Sequence, residues 1–232
     1  MRAVIVTDIA RAERALVDAL AAFGSATVHE ALGRIGCAGA RIRPIQEGVV
    51  VSGSAITVLP APGDNLMVHA AIEQAQEGDI IVVAPASGSP HGFIGELMAT
   101  QMQARGVGGY VTSAGVRDVA ELRAMRFPVW TAHITARGTV KETAGSVNVP
   151  IALDDVVVEP GDIVVADDDG VTIVPRARAA EALEAARRRA ERETAARERY
   201  RAGEISMDVG GLRAVLDRLG VEHIAQRSGD AR

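Results

Sequence analysis

Apolar residues recur at roughly helical spacing in residues 11–34, at Leu16, Leu20 and Phe23, and a short second segment, Thr27 to Arg34, follows. Ser25 and Thr27 stand where side-chain caps of that second segment belong. Gly48 to Pro60 is rich in β-branched residues and predicts a strand with a Gly-marked bend. Pro62-Gly63-Asp64-Asn65 makes a turn, Leu66 to Gln76 predicts a helix, and Gly78-Asp79 stops it. Ile80 to Ala84 is wholly apolar, as suits a strand buried on both faces. The alternation then repeats, with helix over Phe93 to Arg105, strand over Tyr110 to Thr112, helix over Val119 to Arg126 and strand over Val129 to Ala132. Strands alternating with helices of this length define an α/β class.

The last third is patterned differently. Val156 to Val158, Ile163 to Ala166 and Val171 to Val174 are short strands, and Asp169-Gly170 is a hairpin signal because glycine reaches the positive φ that such turns require. Residues 177–202 read as one long charge-laced helix and Leu212 to Leu219 as a last one. No Pro- or Ser-rich linker interrupts the chain. The expectation is one domain over residues 1–232, with an N-terminal helical segment (1–35) and a C-terminal helical arm (176–232) that packs on a neighbouring subunit.

Composition narrows the function classes. The chain has 232 residues, 48% of them hydrophobic, enough for one good core. A formal net charge of −5 gives no bulk attraction to nucleic acid. No apolar run approaches the ~20 residues that cross a bilayer, and the N-terminus has no signal-peptide pattern, so a cytoplasmic protein without membrane partners is expected. Cys37 is the single cysteine, which rules out an intrachain disulfide and a zinc–thiolate cluster. Among 25 basic residues only Lys141 is a lysine.

Several stretches are candidates for chemistry. Gly92-Phe93-Ile94-Gly95-Glu96-Leu97-Met98 stands where a loop opens a helix; free N–H groups there can hold a carboxylate or phosphate, and such glycines also serve as turn punctuation. Ser113-Ala114-Gly115-Val116-Arg117-Asp118 follows a predicted strand, where ligands of open α/β sheets gather. There Arg117 can fork onto a carboxylate and Asp118 can ligate a hard cation such as Mg²⁺ or Mn²⁺. The alternative is a local ion pair or a helix N-cap by Asp118. Lys141 is a solvated lysine, an electrostatic support for an anion, or a Schiff-base nucleophile. Asp167-Asp168-Asp169 has the wrong spacing for a calcium loop and reads as a hairpin tip. The Arg residues of the long helix are interleaved with Glu181, Glu184, Glu191, Glu193 and Glu198, the pattern of a salt-bridged face rather than an RNA-binding stripe. The five histidines show no metal-ligand spacing and read as structural or superficial.

Pro62-Gly63-Asp64-Asn65, Gly95-Glu96-Leu97-Met98-Ala99-Thr100, Gly115-Val116-Arg117-Asp118, Phe127-Pro128-Val129-Trp130, Gly145-Ser146-Val147-Asn148-Val149-Pro150, Pro160-Gly161-Asp162 and Ala166-Asp167-Asp168-Asp169-Gly170-Val171 occur in this order. The set resembles the 4-carboxy-4-hydroxy-2-oxoadipate or 4-hydroxy-4-methyl-2-oxoglutarate aldolases, within the superfamily of the regulator of ribonuclease E activity A. The resemblance runs over nearly the whole chain. It implies a single-domain layered α/β sandwich with a mixed sheet, and a divalent-metal-dependent class II pyruvate aldolase, trimeric or hexameric. Such an enzyme acts on small oxo acids in aromatic-compound catabolism, such as that of protocatechuate and gallate, with oxaloacetate decarboxylation as a side activity.

Carried over by that resemblance, Arg117 contacts substrate, Asp118 holds Mg²⁺ or Mn²⁺, and the backbone of Gly95, Glu96, Leu97 and Met98 cradles the pyruvate part. Glu96 holds metal-bound water, Lys141 is the active-site lysine, and Glu193 is lent by a neighbouring subunit. Ser113 departs from the pattern, standing where close relatives carry Asp. Two rival readings are a non-enzymatic protein-binding regulator of the ribonuclease-inhibiting kind and a class I aldolase with Lys141 as Schiff base.

Overall fold

The computed structural model of the protein describes residues 2–224, and the chain falls into two compact units, Met1–Arg187 and Arg188–Arg232. In chain order the first unit contains α1 (Arg14–Ala21), α2 (Gly24–Ala31), β1 (Arg43–Pro44), β2 (Val51–Leu59), α3 (Leu66–Gln74), β3 (Ile80–Val83), β4 (Gly92–Ile94), α4 (Glu96–Ala104) and β5 (Gly109–Val116). It continues with α5 (Val119–Ala124), β6 (Val129–Ile134), β7 (Ser146–Val147), β8 (Ile151–Leu153), β9 (Val156–Val158), β10 (Ile163–Ala166) and β11 (Val171–Val174). The long helix α6 (Ala179–Arg201) begins in the first unit; α7 (Ser206–Val209) and α8 (Leu212–Leu219) belong to the second.

Four parallel strands in the order β6-β5-β3-β2 form the centre of a nine-stranded sheet. Helices α3, α4 and α5 lie in the three connections between them, as βαβ units require. Antiparallel strands extend the sheet, β1 beside β6, β7 beside the end of β2, and β10 then β11 beside β2, and β4 pairs parallel with the end of β5. β2 passes from β10 to β3 between Ser54 and Ala55, at its Gly-marked bend. The sheet is therefore mixed, in keeping with the α/β class of the pattern and with the layered architecture that the resemblance implies. β8 and β9 pair separately.

The apolar pattern explains the layers. Ile81 and Val83 pack with Ile56, Val58 and the buried sides of α3, α4 and α5, including Val68, Ile72, Met102 and Leu122. Ile80 and Val82 face the other way, with Val111, Trp130, Leu153 and Val164. Successive strand residues point to opposite faces, so a strand with core on both sides must be apolar throughout. Each such buried Ile, Val or Leu contributes about 1.5–3 kcal/mol of transfer free energy. A third cluster seats α1 and α2, through Val17, Leu20 and Val28, on β10 and on Ala182 and Leu183 of α6.

Three local expectations are corrected. The helix read from Phe93 starts only at Glu96, because Phe93 and Ile94 are fully buried in β4 beside β5. The strand read as Tyr110 to Thr112 runs on to Val116, so most of the expected Ser113–Asp118 loop is buried strand. Gly115 makes this possible: a Cβ there would lie 2.9 Å from the carbonyl oxygens of Pro90 and His91, which cross against it. Finally, neither Ser25 nor Thr27 caps α2; Ser25 lies inside the helix, and its N–H and hydroxyl both donate to the Asp167 carboxylate, at 2.6 and 2.5 Å.

The acidic run is a hairpin tip, as read. Asp167 holds α2, its carbonyl accepts the Trp130 indole N–H at 2.7 Å, and the Asp168 carboxylate accepts the Gly48 N–H. Among the described residues no three His, Cys, Asp or Glu are grouped to hold a metal, and no helix is long and apolar enough to cross a membrane.

Candidate active site

The parallel strands end at one edge, and a cavity of about 240 Å³ opens beyond their carboxyl ends. Each connection leaving that edge supplies part of the wall. Asn65 and His69 follow β2, Gly92 to Ile94 and Gly95, Leu97 and Met98 follow β3, Arg117 and Asp118 follow β5, and Gly138, Thr139 and Lys141 follow β6. Gly95, Leu97, Met98, Arg117, Asp118 and Lys141 are thus brought together from three separate connections.

Asp118 stands at the N-cap position of α5 yet makes no side-chain cap there. Its backbone is left-handed, at φ 54° and ψ 42°, a conformation that Asp tolerates better than most residues. This turn sends the carboxylate away from its own helix and toward α4, where Oδ2 accepts the Glu96 N–H at 3.1 Å. A carboxylate at a helix N-terminus is stabilised by the unpaired N–H groups and the helix dipole. Gly95 makes the approach possible, since a Cβ on it would lie 2.1 Å from Asp118 Oδ2. The next N–H groups, of Leu97 and Met98, lie in the first turn and have no carbonyl one turn back to accept them.

Arg117 is fixed through its backbone, its N–H donating to the Ile94 carbonyl at 3.0 Å. Its guanidinium is half exposed, with Nε 3.7 Å from Asp118 Oδ2, longer than a hydrogen bond. Most of the guanidinium fork is therefore left for a ligand.

Lys141 is held from below. Asp64 is buried, and its Oδ2 accepts the N–H groups of Glu142 and Thr143 at 2.7 and 2.6 Å, while Oδ1 accepts the Leu66 N–H at 2.8 Å. The Val140 N–H donates to the Gly63 carbonyl, and the Val140 carbonyl accepts the Asn65 N–H. Burial alone would push the Asp64 carboxyl up, but the three backbone donors overcome it and hold it below the ordinary carboxylate range. The turn after β2 thereby clamps both sides of the lone lysine.

Sequence reading passed over two further wall residues. Asn65 is buried, and its amide N–H donates to the Phe93 carbonyl at 2.8 Å and lies 3.3 Å from the Met98 sulfur. That fixes the amide, leaving Oδ1 buried with no donor. One turn on, His69 Nε2 is also buried without a partner. Burial, and then the nearby Lys141 charge, lower the His69 pKa from its usual value, favouring the neutral ring. The available signal was spacing: Asn65 and His69 are four apart at the start of a helix, on one face.

Other expected residues lie elsewhere. Glu96 opens α4 beside the cavity, but its carboxylate accepts from Thr100 Oγ1 at 3.0 Å, one turn along its own helix. Ser113 is buried within β5 and is not part of the cavity wall. Glu193 lies on α6 in the second unit, ion-paired with Arg189 at 2.8 Å.

A mixed α/β sheet with a cavity walled by Arg117, Asp118 and Lys141 makes this an α/β protein whose pocket lies beyond the carboxyl ends of its parallel strands. The chain belongs to the RraA-like family, described as Aldolase/RraA, whose pattern matches residues 25–173. It is 33% identical over 178 residues to a Halalkalibacterium halodurans protein named "Putative 4-hydroxy-4-methyl-2-oxoglutarate aldolase", covering 77% of this chain and 82% of that one. Among solved structures it resembles Streptomyces coelicolor RraAS2, titled an unusual member of the RNase ES inhibitor RraA protein family. The TM-score is 0.74 at 28% identity, covering 82% of this chain and all of that one. An uncharacterized Pseudomonas syringae protein has the same fold, with a TM-score of 0.74 at 22% identity over 87% of this chain and 99% of that one.

Proposed function

We propose that the protein is a lyase that cleaves 4-carboxy-4-hydroxy-2-oxoadipate to pyruvate and oxaloacetate, and 4-hydroxy-4-methyl-2-oxoglutarate to two pyruvates, with the help of a divalent cation. The observation that carries the reading is the charge arrangement of the cavity. Arg117, Lys141 and the first turn of α4 surround a single carboxylate, Asp118. Two cations and open N–H donors suit a polyanionic oxo acid, and the similarity to the Halalkalibacterium halodurans protein supports the same chemistry.

The residues fit a hard cation. Mg²⁺ keeps several waters and needs only one or two protein carboxylates, and Asp118 offers one, partly exposed, at the cavity wall. A cation there supplies Lewis-acid stabilisation of the negative charge that develops on the keto oxygen. Arg117 forks onto the substrate carboxylate and shares in stabilising that charge. The N–H groups of Leu97 and Met98 orient the pyruvate part. Lys141 adds electrostatic support to the carboxylates of the substrate, that of the pyruvate part included. Cleavage of the C3–C4 bond needs the hydroxyl proton removed and a proton delivered to C3, with Glu96 and Glu193 orienting the waters involved. The same chemistry decarboxylates oxaloacetate.

Glu193 enters this account from a neighbouring copy, in a trimer or hexamer. Leu97, 80% exposed on the cavity wall, and exposed Val140 beside Lys141 are apolar positions that a second copy would cover. Gly95→Ala tests the inner geometry: the added Cβ displaces the Asp118 carboxylate. At least a tenfold loss of kcat/KM is expected in coupled pyruvate assays. Unchanged kcat/KM would show that the Asp118–α4 contact is not used.

The similarity to RraAS2, a member of an RNase ES inhibitor family, favours a second reading, a protein-binding regulator without catalysis. Metal-stimulated turnover of an oxo acid would exclude that reading as the whole account.

A further inference from the structure

Two buried polar atoms in the cavity wall lack partners: Asn65 Oδ1 and His69 Nε2. Leaving a buried polar group unpaired costs about 1–3 kcal/mol, so a pair of them one helical turn apart calls for a donor. Asn65 cannot turn its amide to escape, because its N–H side is engaged by the Phe93 carbonyl. His69 can present an acceptor at Nε2, provided that its proton is on Nδ1.

Two cations stand on the same wall, Arg117 and Lys141, and Lys141 is the one whose charge acts on the His69 ring. An ammonium carries three N–H donors and no acceptor. Its backbone is clamped by Asp64 through Glu142 and Thr143, which limits where the side chain can reach. Among the described residues no carboxylate forms an ion pair with it.

We propose that Asn65 Oδ1 and His69 Nε2 form an acceptor cradle for the Lys141 ammonium, holding two of its N–H groups and directing the third at a substrate carboxylate. His69 and Asn65 are then positioning residues that act through Lys141. The neutral ring that burial favours is the form able to accept. The cradle deepens the proposed aldolase reading and rests on it for the identity of the anion, but not for the contact itself.

Lys141 is the only lysine in the chain, so incorporation of ¹⁵Nζ-labelled lysine gives one side-chain amine resonance. That resonance reports on the cradle without any turnover. In the full-length protein with saturating pyruvate, His69→Met removes the acceptor at similar volume. His69→Gln places an amide oxygen near the same point. The expected result is a shifted Nζ resonance with faster ammonium proton exchange in His69→Met, and restoration toward wild type in His69→Gln. The pyruvate dissociation constant, measured by calorimetry, should rise about tenfold in His69→Met, the loss of one charge-assisted hydrogen bond. In a Lys141→Met background the same substitution should change binding less than twofold.

An Nζ resonance unchanged in shift and exchange by His69→Met would overturn the cradle. So would an equal loss of pyruvate binding with and without Lys141. If the cradle signature is present but no oxo acid is cleaved, the aldolase reading fails while the contact stands.

Discussion

Arg117→Ala is expected to lower kcat/KM for pyruvate release about a thousandfold, the size seen when a donor to developing negative charge is removed. The thermal midpoint should barely move. The Arg117–Asp118 pair is 3.7 Å apart and half exposed, and exposed pairs of this kind contribute little to stability. Arg117→Lys should recover only part of the activity, because an ammonium keeps the charge but not the planar fork. Steady-state kinetics and a melting curve on the same preparations check the split. A large fall in both quantities would make Arg117 a structural residue, whereas near-normal activity in Arg117→Ala would remove it from the mechanism.

Asp64→Ala should produce the largest stability loss among the residues around the cavity, about 3 kcal/mol, because three backbone N–H groups lose their shared acceptor. Its pH dependence has a definite sign. The folded-state pKa of Asp64 is lowered, so its charged form contributes stability above the unfolded-state value of about 4. That contribution disappears as pH falls through the depressed folded value. Urea midpoints of wild type and Asp64→Asn at pH 7, 5 and 3 should therefore converge toward the acid end. A constant gap at all three values would show that the charge plays no part. Asp64→Asn should also weaken anion binding, because the Lys141 segment loses part of its clamp.

Those two residues show what could be read along the chain and what could not. The alternation of β-branched runs with helical periods carries the α/β class, and burial on both faces leaves a continuous apolar signature at Ile80–Val83. The edges were less visible. β1 and β7 are two residues long, too short for any period, and are held by pairing with distant strands, while three-residue β8 forms a local hairpin with β9. β4 was read as helix because Phe93 and Ile94 adjoin a true helix, and only the tertiary contact with Gly115 and Val116 makes them extended.

At the site, the clustering of Arg117 and Asp118 was legible because they are adjacent in sequence. The direction of the Asp118 carboxylate was not, since it depends on a left-handed backbone and on space at Gly95, 23 residues earlier. Asp64 and Lys141 are far apart in sequence, and nothing local in either segment announces their clamp. His69 carries no signal in the sequence, since no second histidine stands at ligand spacing, whereas the structure gives it a wall position beside the lysine. The acidic triplet, by contrast, was read correctly from turn chemistry, because Asp-Gly at a hairpin is a local property.

The central claim is metal-assisted release of pyruvate. Its most direct test is purified protein with 4-carboxy-4-hydroxy-2-oxoadipate in a lactate dehydrogenase-coupled assay, first with EDTA and then with Mg²⁺ restored. The account predicts turnover that EDTA abolishes, that Mg²⁺ restores, and that Asp118→Asn lacks under both conditions. Folded protein that releases no pyruvate with Mg²⁺ present, or that releases it equally well in EDTA, would contradict it.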